Sequence, residues 1–226
     1  MTIQARFAQL DIPASAVTPV APPHEGLYAR RFKRVFDIAF VIAILPVLLP
    51  LVAILALLVA LGGGNPFYSQ DRVGRNGRIY RMWKLRSMVP NADAVLQQLL
   101  QTDPELAAEW ASKQKLDHDP RITRLGHFLR KTSLDELPQF FNVLMGDMSV
   151  VGPRPMLPQQ RRLYPGTEYY RLRPGITGLW QVSDRNETTF AQRAIFDRAY
   201  LAGLGFATDM RLIAATLRVV LRATGR

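Results

Sequence analysis

The stretch Ile38–Leu61, IAFVIAILPVLLPLVAILALLVAL, decides how this chain is read. It is 24 residues long, carries no charged side chain, and holds Pro46 and Pro50. That length crosses a bilayer once as a helix. Pro50 stands near the middle, where a proline removes a helical hydrogen bond and favours a bend. Both flanks are basic: Arg30, Arg31, Lys33 and Arg34 before, Arg72, Arg75, Arg78 and Arg81 after. A single span would carry one basic flank across the membrane, against the positive-inside tendency. A broken helix that enters and leaves by one face keeps both flanks together. The residues alone leave two readings open, an ordinary span with a tolerated proline and a re-entrant helix.

Outward from this stretch, about 160 residues follow it, enough for one modest core. Lys and Arg number 29 against 18 Asp and Glu, for a net charge of +11. That surplus points to anionic partners: nucleic acid, anionic membrane lipid or phosphorylated substrates. The absence of cysteine excludes disulfides and thiolate metal sites. His24, His118 and His127 make no metal-ligand spacing. The apolar stretch starts too late and runs too long for a cleaved signal, with no small-residue cleavage site after it.

Three regions follow. Residues 1–27 carry scattered Pro, Ala and Thr without a period and read as a disordered tail. Residues 28–64 are the basic collar and the membrane element, ended by Gly62-Gly63-Gly64. Residues 65–226 form the remaining domain. In it, Phe67–Met88 reads as a hairpin and Asn91–Lys115 as helix with a break near Asp103-Pro104. Ile122–Leu129 is a short helix or turn, and Asp135–Met145 is helix. The segments 152–155 (GPRP) and 173–178 (RPGITG) read as loops. The terminal segment places Met210, Ile213, Ala214, Leu217, Val220 and Leu221 on one helical face, opposite Arg211, Arg218 and Arg222. Such a helix either packs on the core or lies in the headgroup plane, and the apolar element beside it favours the second.

The chemistry concentrates in residues 129–139, LRKTSLDELPQ. On a structural reading, Asp135 is the N-cap of a helix with Pro138 in its first turn. Leu137, Phe140, Phe141 and Leu144 then form the buried face, and Gly146 ends the helix. On a functional reading, a carboxylate at a helix N-terminus is held ionised, and the same N-terminus attracts phosphate. Arg130 and Lys131 just upstream screen phosphate charge. An ionised Asp can attack phosphorus to give an acyl phosphate. A second carboxylate can share a Mg²⁺ with a diphosphate.

Here the sequence resembles the bacterial monotopic phosphoglycosyl transferases, the polyprenyl-phosphate hexose-1-phosphate transferases of cell-surface polysaccharide assembly. The resemblance runs from Arg34 to about Arg222. It rests on KRVFD at 33–37, Pro50, RVGR at 72–75, WKLRSM at 83–88, the 129–139 motif, FNVLMGDM at 141–148, VGPRP at 151–155 and RPGITGLWQ at 173–181.

The resemblance implies transfer of a sugar 1-phosphate from a UDP-sugar to undecaprenyl phosphate, with release of UMP. Asp135 would be the nucleophile, and Glu136 would position Mg²⁺ or the nucleophile, so both would be metal ligands. Arg130 would bind a phosphate, and Arg154 would meet the nucleotide or its diphosphate. Lys84, Arg86, Arg173 and Arg185 are further candidates for phosphate, each with a structural alternative. Pro50 would make the re-entrant bend that holds the domain on the cytoplasmic face of the bacterial inner membrane. The implied fold is α+β and mainly helical: a re-entrant membrane helix-break-helix plus a small catalytic domain with amphipathic interfacial helices.

The insert from Asn91 to His118 looks like members that handle plain hexoses, and the short length resembles exopolysaccharide starter enzymes. UDP-galactose and UDP-glucose are therefore the expected donors. A homodimer is compatible with the sequence. Two rivals carry less of it. A membrane-anchored nucleic-acid binder lacks a helix-turn-helix, finger or aromatic-basic signature, so no nucleic acid is expected as partner. A non-catalytic scaffold for glycan assembly would use the acidic pair only as a cap.

Overall fold

The computed structural model describes residues 26–113, 116, 118–183 and 189–221. The tail expected over residues 1–27 falls almost wholly outside them.

A π-helical turn at Tyr28–Phe32 leads straight into α1, Lys33–Leu61. The backbone stays helical through Pro46 and Pro50. At about 1.5 Å per residue α1 is about 43 Å long. It stops at a glycine run, where Gly63 and Gly64 adopt left-handed φ of 85° and 76°. Val41, Leu48, Val52, Leu55 and Val59 are buried, a stripe at spacings of seven, four, three and four residues. Ile42, Val47, Leu49, Ile54, Leu57, Leu58 and Leu61 are exposed on the remaining faces. The helix therefore packs along the domain by one stripe and leaves a broad apolar face uncovered.

The expected hairpin forms. β1 (Phe67–Val73) and β2 (Ile79–Leu85) pair antiparallel, from Phe67 opposite Leu85 to Val73 opposite Ile79. Asn76 and Gly77 turn the chain with φ of 57° and 75°. The insert is two helices, α2 (Ala92–Thr102) and α3 (Pro104–Lys113), broken at Asp103 as the sequence indicates. Next comes α4, Arg124–Thr132, whose N-cap Thr123 accepts from the Gly126 amide at 2.9 Å.

The segment after α4 corrects the sequence reading. Helix does not begin at Asp135. Ser133 closes α4 in the left-handed region (φ 57°), and Leu134–Glu136 is a single 3-10 turn. Only from Gln139 does α5 run, to Met145, ended by Gly146. Pro138, which has no N–H to give a preceding turn, separates the two. The 173–178 segment is likewise not all loop: Gly175–Thr177 is a strand, β4, parallel to β3 (Ser149–Val151). These strands approach so closely that a Cβ at Gly152 would stand 2.3 Å from the Arg173 carbonyl oxygen.

Between and after these strands lie α6 (Glu168–Arg171), α7 (Leu179–Val182), α8 (Arg193–Ala202) and α9 (Phe206–Leu221). The main core joins Val41 of α1 to Met82, Val143, Met148, Val151, Phe196, Tyr200 and Leu212. The apolar helix and the rest of the chain thus share one core. Leu212 brings α9 inward, while Phe206 and Leu217 stay exposed. Part of the apolar face read on this helix is therefore uncovered, and another side of the helix packs.

A second cluster matters more for function. Leu55 and Val59 of α1 pack with Leu85, Leu129 and Leu125, and with Leu134 and Leu137 on either side of the acidic pair. The C-terminal half of α1 is the floor on which the 3-10 turn rests.

Candidate active site

Asp135 sits inside the 3-10 turn and not at the N-cap of α5, and its side chain has other neighbours. Lys84, from β2, puts Nζ 2.7 Å from Glu136 Oε1 and 3.7 Å from Asp135 Oδ2. Asp135 is only 7 % exposed, and Glu136 is partly exposed. Burial pushes the Asp135 carboxyl above its ordinary range, and Glu136 adds to the rise, against the pull of Lys84 and Arg130. The sequence reading of a carboxylate held ionised by a helix dipole does not describe Asp135. Burial also acts on Glu136, but Lys84, Arg154 and Arg72 outweigh it and hold that carboxyl low. The pair is therefore split into one readily ionised and one reluctant acid.

Arg130, from α4, completes one wall. Its Nε donates to Ser87 Oγ at 2.8 Å. Beyond it, Arg121 holds Asp119 in a buried pair through Nε at 2.8 Å and a second guanidinium nitrogen at 2.6 Å.

Arg154, from the loop after β3, forms the other wall. It lies near enough to Glu136 to help hold its carboxyl below the ordinary range. Its guanidinium carbon stands 5.4 Å from the Trp180 ring centroid. Two more arginines gather there, and the sequence reading assigned neither. Arg72, on β1, donates to the Pro155 carbonyl at 3.3 Å and to Gln70 at 2.7 Å. Arg193, at the start of α8, stands 4.3 Å from the Trp180 centroid and 4.7 Å from that of Phe190. Burial and the neighbouring Arg154 lower Arg193 to about 10. Three guanidiniums that repel one another thus gather here, and two of them, Arg72 and Arg154, act on Glu136; planar forks of this kind suit phosphate oxygens. The adjoining cleft is lined by Tyr164, Tyr169, Trp180 and Phe190.

The remaining candidates lie elsewhere. Arg86 donates to the Val59 carbonyl at 3.2 Å and to that of Gly63, so it closes the C-terminus of α1. Arg173 donates from Nε to the Gly146 carbonyl at 2.9 Å, at the far end of α5 from the acidic pair. Arg185 lies outside the described residues. Of the predicted set, the structure brings together Lys84, Arg130, Asp135, Glu136 and Arg154, and sets Arg86 and Arg173 apart. The RVGR motif marked Arg72 as notable but gave it no partner; Arg193 carried no local signal.

Among the described residues no three His, Asp or Glu converge. Two adjacent carboxylates fit a hard cation such as Mg²⁺, which takes its other ligands from water and a substrate phosphate. They do not make a self-sufficient cage.

A family model described as bacterial sugar transferase matches residues 28–223. The chain is 47 % identical over 199 residues to an undecaprenyl-phosphate galactose phosphotransferase of Salmonella typhimurium, covering 87 % of this chain and 42 % of that protein. It is 46 % identical over 199 residues to a UDP-galactose-lipid carrier transferase of Erwinia amylovora, with the same coverage of each chain. It is 41 % identical over 196 residues to the exopolysaccharide production protein ExoY of Sinorhizobium fredii, covering 85 % of this chain and 87 % of that one. The chain thus spans about two fifths of the first two relatives and most of the third. The match over nearly all the described residues shows that the chain belongs to the bacterial sugar transferase family.

Proposed function

We propose that this chain transfers hexose 1-phosphate from a UDP-sugar to undecaprenyl phosphate through a covalent phosphosugar on Asp135. The observation that carries the reading is the split acid pair on one lysine, faced by Arg154 and its two neighbouring guanidiniums. In the first step an Asp135 carboxylate oxygen attacks the phosphorus that bears the sugar. The bond from that phosphorus to the bridging oxygen breaks, and UMP leaves with the electron pair. In the second step a phosphate oxygen of undecaprenyl phosphate attacks the same phosphorus and displaces the carboxylate. The product is a hexosyl undecaprenyl diphosphate, the starting unit of exopolysaccharide or O-antigen.

Each residue has a part in this scheme. Arg72, Arg154 and Arg193 receive the diphosphate, and the aromatic cleft beside them receives the nucleoside. Arg130 approaches the phosphoryl group from the opposite wall. Lys84 keeps Asp135 ionised as the donor binds. Mg²⁺, when held by Asp135 and Glu136, supplies positive charge against the donor's diphosphate.

The membrane arrangement follows from α1. Arg34 near its start donates to the Leu144 carbonyl at 2.9 Å, and Arg86 closes its end. Both ends thus meet the same domain, which supports entry and exit by one face; α1 runs unbroken through Pro50, the residue to which the resemblance assigns the bend. The basic collar supports the cytoplasmic face of the inner membrane. The names of the relatives favour galactose as the sugar, with glucose next.

The test is intact mass after incubation with Mg²⁺ and UDP-galactose or UDP-glucose, without lipid acceptor. The expected result is a gain of one hexose phosphate, absent in Asp135→Asn and discharged by undecaprenyl phosphate. An equal gain in Asp135→Asn removes Asp135 as nucleophile.

A further inference from the structure

A second basic cleft lies away from the acidic pair, at the C-terminal end of α5. There Arg34 donates to the Val143 and Leu144 carbonyls, and Arg173 to that of Gly146. These contacts satisfy a helix terminus that carries about half a negative charge. Arg75 stands beside Arg173 as a further cation that these contacts do not use. The cleft is lined by Lys33, Arg75, Arg171 and Arg173, with Asp37 as the one carboxylate of its lining. Asp37 is already engaged, accepting from Ser149 Oγ at 2.9 Å and the Val150 amide at 3.0 Å. Lys33 is paired at 2.8 Å with Asp209, outside the cleft lining, and at 3.6 Å with Asp37 within it. Burial lowers Arg173, and Arg75 and Arg34 lower it further, the mark of like charges crowded together. Leu172, Leu201 and Leu204 give the cleft an apolar side.

We propose that this cleft binds the phosphate of an anionic phospholipid, with its glycerol and first acyl carbons against Leu201 and Leu204. The inference rests on the membrane-surface reading of α1, because Ala29 and Lys33 of its basic approach line the cleft. A phosphate here sits at headgroup depth, where cations draw anionic lipid. The cleft does not hold the reacting phosphate of the acceptor. A reacting phosphorus must come within about 3.5 Å of the nucleophile. Asp135 precedes α5, whose seven residues place the cleft about 10 Å farther along. The bound lipid would tie α1, α5 and the β1–β2 turn to the bilayer surface.

The test is native mass spectrometry of the full chain released from nanodiscs of phosphatidylcholine and phosphatidylglycerol. Arg75 is exposed, and Arg75→Gln is expected to retain phosphatidylglycerol about fivefold less than wild type, the effect of one cation at an anionic surface. Arg75→Lys is expected to restore retention, which a folding defect would not allow. Equal retention in wild type and Arg75→Gln overturns the proposal. So does displacement of phosphatidylglycerol by undecaprenyl phosphate, which would make the cleft an acceptor site, or its loss in Asp135→Asn. Normal retention together with full turnover in Asp135→Asn would sink the catalytic reading and leave the lipid site standing.

Discussion

The Lys84 ammonium donates to Glu136 Oε1 at 2.7 Å and leaves Asp135 at 3.7 Å. The closer partner is the acid held low, and the farther one is the acid that burial raises. Lys84 is thus the counterweight to the desolvation of Asp135. Removing it in Lys84→Met raises the Asp135 carboxyl further, so less of it is ionised at a given pH. The acid limb of the pH–rate profile is expected to move upward. Each unit of displacement costs about tenfold in rate on the acid side of the limb and little well above it. Single-turnover adduct formation across pH measures this, and an unmoved limb would show that Lys84 acts elsewhere.

Gly126 ties packing to that site. On α4, a Cβ there would stand 1.9 Å from the Ser87 carbonyl oxygen. Ser87 is also the residue whose hydroxyl receives Arg130. Gly126→Ala therefore displaces the β2 exit and Arg130 together. The expected outcome is a stability loss of about 1–3 kcal/mol, the usual cost of overpacking, with adduct formation slowed more than the remaining fold explains. Thermal unfolding and single-turnover rates on the same sample separate the two.

How much of this was legible in sequence depends on whether the signal was local. The apolar stretch, the hairpin and the Asp103 break follow from composition and pattern; the motifs nominate Lys84, Arg130 and Arg154 for phosphate, but not the contact of Lys84 with both acids, which only the β2 register creates. The start of α5 was misplaced because Ser133 adopts the left-handed region, where a capping pattern has no force. Arg86 and Arg173 have the same residue type as Arg154, and only tertiary contacts with helix-terminal carbonyls set them apart. Arg193 was invisible because its meaning lies in Trp180 and Phe190, which α8 alone does not specify.

Asp197 gives a prediction with a defined pH window. It is buried, and desolvation raises it to about 7 although Tyr164 donates to it at 2.9 Å and Arg193 is near. A carboxyl raised above its unfolded value of 3.8 favours the folded state most below that value. That contribution is lost as pH rises from about 4 through about 7. Asp197→Asn removes the titration, so its stability relative to wild type is expected to improve across this window and level off above it. Denaturant midpoints at the two ends of the window test the sign. A variant whose deficit grows with pH would mean that Arg193 dominates Asp197.

Asp209 anchors α9 to the start of α1. It is fully buried, accepts from Tyr28 at 2.6 Å and Tyr200 at 2.7 Å, and pairs with Lys33 at 2.8 Å. Asp209→Ala removes the acceptor of the Tyr28 hydroxyl, and leaves Tyr200 to the Val151 carbonyl at 3.2 Å and Lys33 to Asp37 at 3.6 Å. The expected cost is about 3–5 kcal/mol, as for a broken buried ion pair. Asp209→Asn keeps an acceptor and is expected to lose less. Equal losses in the two variants would mean that the carboxylate charge, rather than the acceptor geometry, holds α9 in place.

The arrangement of α1 can be tested without background, because the chain has no cysteine. Arg30 and Asn65 flank the helix and are both exposed. A spanning α1 would put them on opposite sides of the membrane, and a re-entrant one on the same side. Single variants Arg30→Cys and Asn65→Cys, treated in inverted membrane vesicles with a membrane-impermeant maleimide, are both expected to react. Reaction of only one would establish a span. Adding Pro50→Ala tests the cause: if the bend depends on this proline, reactivity at Arg30→Cys is expected to fall while Asn65→Cys stays labelled. Unchanged labelling would assign the arrangement to the buried stripe from Val41 to Val59, which fixes α1 along the domain irrespective of Pro50.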